Sequence, residues 1–178
     1  HAHEAAAAPT SAAAWEPADG LERTAWSLVA EVVAATGWAL VLIAGFVVSG
    51  RAIGWCEGMI WGLAGFAAVV AALGLGLPPE LPGMPAADLV ARQIWWIATA
   101  LATAAGIAAV AYGRSAVWVV GGLALVAVPH LVGAPHPASI ETNVPDLLSH
   151  RFVVTATLTS LLGWSLIGGL GGVLHRRF

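Results

Sequence analysis

Residues 90–133 read VARQIWWIATALATAAGIAAVAYGRSAVWVVGGLALVAVPHLVG and carry only two charges, Arg92 and Arg114. The apolar residues run continuously, without the polar alternation of a half-buried strand, so the stretch is read as helix. Gly113 and Arg114 divide it into runs over 90–112 and 115–133. Each is close to the 20 or so apolar residues that cross a bilayer. Two membrane-crossing helices joined by a tight link account for the whole segment.

The same pattern recurs on both sides of it, and spans are expected over 24–49, 57–77 and 151–174. The fold class is therefore an all-α membrane protein, a bundle of about five transmembrane helices. Residues 1–20, Ala-rich and broken by Pro9, Pro17 and Gly20, form an extramembrane arm, and residues 21–178 form the single bundle. Composition agrees: 59% of the 178 residues are apolar and 10% are charged, against about 25% charged in an ordinary soluble domain. The uninterrupted apolar runs exclude a β-barrel, and their combined length leaves no room for a separate soluble domain.

All seven basic residues are Arg and the formal charge is −3, so no basic face exists for nucleic acid. No GxxxxGK[ST] phosphate loop occurs, which argues against ATP hydrolysis by this chain. The one cysteine, Cys56, allows no intrachain disulfide. With Met59 it makes a soft pair too small to hold copper(I), and packing is the better reading.

Arg51, Arg114, Arg176 and Arg177 fall in short links or the tail. Arg23, Arg92 and Arg151 fall on the other side among Glu80, Asp88, Glu141 and Asp146. Short cytoplasmic segments retain Arg, so the carboxyl terminus is placed in the cytoplasm and the amino terminus outside. Trp26, Trp95 and Trp96 then fall at outer span ends, where interfacial aromatics are expected. Gly58/Gly62 and Gly168/Gly172 give small residues at four-residue spacing, which permits close helix contact in lipid.

The two longer loops, about 78–89 and 134–150, share the outer side. Proline at 129 removes a backbone donor near the end of the fourth span, and His130, His136, Glu141, Asp146 and His150 follow. Imidazoles with carboxylates suit borderline divalent metals, although the spacing matches no fixed metal motif; the alternative is that His130 hydrogen-bonds in the bundle while His136 and His150 are solvated. His1, His3 and Glu4 form a second cluster, HAHE, able to capture a cation or simply a free tail. Glu31, about two turns into the first span, must pair, take up a proton or face water. It is either part of an ion pathway or paired with Arg92 or Arg151.

Three segments together resemble the CbtA family: WEPADGLERT at 15–24, GLPPELPGMPAADLVARQIWW at 76–96 and PHLVGAPHP at 129–137. Those are small bacterial and archaeal membrane proteins regarded as cobalt transporter subunits, commonly encoded with a single-span, His-bearing partner called CbtB. Glu80, Arg92, Trp95, Trp96, His130 and Pro135 stand where this chain matches the family's motifs. Members usually carry one more hydrophobic span before a His- and Glu-containing segment. The present sequence opens at His1 without that span, so HAHE is expected to be what remains of an outer loop.

The resemblance and the residues lead to one expectation: a non-enzymatic subunit of a cobalt(II) uptake transporter in the bacterial cytoplasmic membrane. It would bind cobalt(II) or a similar divalent metal at its outer face through His130, His136 and His150. Glu31 and Glu80 would ease entry of the charge, and Arg92 would orient a carboxylate. Its partners would be the lipid bilayer and a CbtB-like chain or a larger membrane complex. Two rivals stand beside it. One is a structural subunit docking through its Gly-rich faces; the other is haem or pigment binding between His130 and His150.

Overall fold

Runs of Ala, Leu, Val and Trp favour helix, and in lipid the helix is also the one open structure that satisfies every backbone group internally. A computed structural model describes residues 15–139 and 141–178, and these are all helical apart from their connections. Among the described residues there are five helices: α1 (Leu21–Ser49), α2 (Trp55–Gly74), α3 (Leu89–Tyr112), α4 (Ala116–Val132) and α5 (Asp146–Arg177). All but α4 are long and apolar enough to cross a membrane. At 17 residues α4 spans about 25 Å, at the short limit for a crossing.

The chain divides into two units, His1–Gly37 and Trp38–Phe178, with the boundary inside α1. In the first, Gly20 takes a left-handed φ of 95°, which glycine adopts without steric cost, and turns the chain into the helix. Asp19 pairs with Arg23 at 2.9 Å across one exposed turn, and Trp15 packs edge-on against Trp26 at 5.7 Å.

In the second unit α5 lies against α2 and α4 against α3. Glycine makes both contacts close. A methyl built on Gly58 would strike the Gly168 carbonyl, one on Gly62 the Trp164 carbonyl, and one on Gly172 the Gly54 carbonyl. The Gly58/Gly62 and Gly168/Gly172 pairs thus face each other within the chain. In the other pair, a Cβ on Gly106 would sit 2.5 Å from the Gly122 carbonyl oxygen. Leu42, Phe46, Ile53 and Trp164 form a buried apolar cluster beside the α2/α5 contact. Elsewhere large apolar side chains face outward, Leu131 at 83% and Val48 at 87% exposure among them. That much exposed apolar surface requires lipid as its solvent.

The helix ends follow local chemistry. Asp88 accepts the Ala91 N–H at 2.9 Å and caps α3, while the Glu57 carboxylate accepts the Gly54 N–H at 3.0 Å and caps α2. Gly133, with φ of 90°, ends α4. Within α2, Ala67–Ala71 form a π turn. Helix α5 starts at Asp146, five residues before the expected 151, because Pro145 supplies a preorganised start. The second long connection accordingly shortens to 133–145, while the first runs over 75–88, and both lie at one end of the unit; the links 50–54 and 113–115 lie at the other.

Candidate functional site

At the end that carries the long connections, Trp95 organises the structure. Its ring is buried, at 7% exposure, and lies against Gly76, where an added Cβ would come within 2.6 Å of it. Its Nε1 donates to the Pro129 carbonyl at 3.2 Å, an acceptor that also receives the Gly133 N–H at 3.0 Å. Trp95 therefore ties the end of α2, the start of α3 and the last turn of α4 together. His130, next in the chain after Pro129, is half-buried and meets the Trp95 ring nearly at right angles, 6.0 Å between centroids. Its Nε2 is buried and has no hydrogen-bond partner. A buried, unpartnered imidazole nitrogen is costly unless another group uses it.

On the other side of α3 the turn that leaves α2 opens a groove of about 790 Å³, walled by apolar residues of the later part of α2 and of α3, such as Val70, Leu73 and Trp96. Its charged members pair: Arg92 Nη2 lies 3.1 Å from Glu80 Oε2, both side chains about one quarter to one third exposed. Arg92, one of the partners considered for Glu31, thus holds Glu80. Glu31 itself lies in the first unit, exposed on α1.

The other expected metal ligands are less gathered. His136 is exposed in the 133–145 connection, and His150 is exposed on the first turns of α5. The 75–88 connection does meet the start of α5, because Ser149 Oγ donates to the Met84 sulfur at 3.7 Å. His1, His3 and Glu4 lie outside the described residues. Among the described residues no group of three or more His, Cys, Asp or Glu side chains converges.

Trp95 also departs from its expected place among the interfacial aromatics: it turns inward, while Trp96, one residue and about 100° further round the helix, is 36% exposed, and Trp26 is 52% exposed. Sequence reading passed over Thr99 and Thr103, which are 0% and 3% exposed with unpartnered hydroxyls. Their four-residue spacing from Trp95, in an otherwise apolar span, was the available signal.

Two observations bear on the rival readings. The paired glycines that could dock a larger complex are occupied by one another. The helices bearing His130 and His150, α4 and α5, are not packed neighbours among the described residues, since each pairs with a different helix.

The sequence model of the CbtA family, described as a probable cobalt transporter subunit, matches residues 1–176. The chain belongs to that family. No curated protein and no solved structure matches it.

Proposed function

We propose that this member of a cobalt transporter subunit family receives cobalt(II), or a similar divalent cation, at the end of its bundle that carries the long connections, and helps pass it inward. That end faces outward from the bacterial cytoplasmic membrane. Orientation rests on Arg51, Arg114, Arg176 and Arg177 at the opposite end, where Arg51 lies over the Tyr112 ring at 5.4 Å, since short cytoplasmic segments retain arginine.

The observation that carries the reading is His130. Its Nε2 is buried and unpartnered, its ring is steadied by Trp95, and α4 leads from it into the connection that bears His136 and Glu141. A neutral imidazole held in one orientation is a ready ligand for a borderline divalent ion, and fixing a ligand's orientation adds to its affinity. His130 alone does not complete a coordination sphere. Water, His136, His150 or a His-bearing partner chain such as CbtB supplies the rest, which accords with a subunit rather than a self-sufficient carrier. Glu80 offers a carboxylate to the arriving charge, in competition with Arg92. Glu31, exposed on α1, is a separate carboxylate candidate for the ion pathway.

Cobalt(II) binding to the purified chain with its copurifying partners tests this. Replacing His130 and His136 by Ala should weaken binding by well over tenfold, since even residues that merely orient ligands are worth about 10–100-fold. Binding should also weaken on acidification, because a ligating imidazole must be neutral. Unchanged affinity and unchanged pH dependence in the double variant would remove His130 from the site.

A further inference from the structure

The face that α3 turns toward α4 runs Trp95, Thr99, Thr103 and Gly106, all buried, at the spacing of one helical stripe. Both ends of the stripe are anchored on α4. Trp95 Nε1 donates to the Pro129 carbonyl at 3.2 Å, and Gly106 lies against the Gly122 carbonyl. Thr99 and Thr103, between those anchors, therefore point into the same seam. Their hydroxyls have no hydrogen-bond partner. Elsewhere hydroxyls in these helices bond back to their own backbone: Thr36 to the Val32 carbonyl, Thr157 to Val153 and Ser165 to Leu161, each at 2.7 Å. That back-bond is the usual solution in an apolar helix, and Thr99 and Thr103 forgo it.

On α4 a backbone acceptor is freed between the two anchor positions. Pro129 carries no N–H, so the Leu125 carbonyl, one turn earlier and between the same anchors, is released from its helix hydrogen bond. Two buried hydroxyl oxygens thus line a seam that Val or Ala would have packed at lower cost.

We propose that this seam is the cargo's inward route. The Thr99 and Thr103 hydroxyls are successive relay points for a partly hydrated divalent cation, accepting hydrogen bonds from its water ligands. This rests on the reading of His130 as the receiving ligand. The two oxygens lie about 6 Å apart along α3, a spacing that hands the ion from one to the next. Neutral oxygens hold it weakly enough to let it leave, as conduction requires; a carboxylate there would trap it. Trp95 stands over the outer end of the seam beside His130. The Gly106/Gly122 crossing closes the inner end, and there the two helices must part for the ion to pass.

The test uses the full chain with its copurifying partners in liposomes. Cobalt(II) entry is followed with a trapped metal-quenched dye, and equilibrium binding is measured on the same preparation. Thr99→Val with Thr103→Val should slow entry about tenfold or more while leaving binding within about twofold, the signature of a lost relay and not of a lost receiving site. The melting temperature should not fall, because valine fills the same space and removes an unpartnered hydroxyl. Thr99→Ser should retain entry. Unchanged entry in the double valine variant overturns the relay, as does a loss of entry that tracks a lower melting temperature and is not restored by serine. If His130→Ala leaves binding intact, the receiving-ligand reading fails while the relay still stands or falls on entry rates. Wild-type protein that admits no cobalt(II) overturns both.

Discussion

Gly121 and Gly122 are neighbours on α4, yet alanine at the two positions should act with opposite sign. Gly121 is exposed, and a Cβ there meets nothing within 4 Å. Gly121→Ala should therefore show only the helix-propensity gain, at most about 1 kcal/mol. At Gly122 the new Cβ would lie 2.6 Å from the Gly106 carbonyl oxygen and 2.8 Å from Val110 Cγ2. Ordinary contact begins at 3.4 Å, so α3 and α4 must separate by about 0.8 Å. A gap of that size forfeits roughly a quarter to a half of the dispersion energy along the seam, and overpacking of this kind costs about 1–3 kcal/mol. After the propensity gain the net effect remains destabilising, by up to about 2 kcal/mol. Thermal unfolding of the two variants in one detergent reads the difference directly. At roughly 2–4 °C per kcal/mol for a chain this size, Gly121→Ala should melt slightly above wild type and Gly122→Ala several degrees below it. Shifts of the same sign and size would mean that α3 and α4 do not meet at these residues.

Two further outcomes are expected. A topology reporter fused after Phe178 should read cytoplasmic and one inserted near Glu141 should read outside; the reverse pattern would place the His130 end in the cytoplasm and end its role as a receiving site for uptake. Trp95→Phe removes the donor to the Pro129 carbonyl and shrinks a buried ring. It should lower stability by about 1–3 kcal/mol, and a melting temperature equal to that of wild type would show that the ring is not the tie between α2, α3 and α4.

Sequence alone determined that the chain is a helical membrane protein and where its helices run. An apolar run of the length of α3, stopped by Asp88 on one side and Gly113 on the other, has no other stable form in lipid. The family resemblance was equally legible, because it rests on loop motifs whose prolines, Glu80 and Trp95 stand in linear order. His130 was singled out for the same reason, as a histidine set behind a helix-opening proline.

Tertiary structure alone decided which face of each helix meets another helix. In water, burial separates apolar from polar residues, so periodicity reveals the inner face. In lipid an apolar side chain is equally at home against a neighbouring helix or an acyl chain, and only shape distinguishes them. Hydrophobicity therefore could not tell that Trp95 turns inward while Trp96 turns out, or that the glycine pairs of α2 and α5 close on each other. Arg92 met Glu80 because the turn after α2 brings the two together, a contact that no spacing in the chain encodes. Thr99 and Thr103 are mildly polar residues in an apolar run, unremarkable in linear order. They became candidates only when the α3/α4 crossing buried their hydroxyls without a partner.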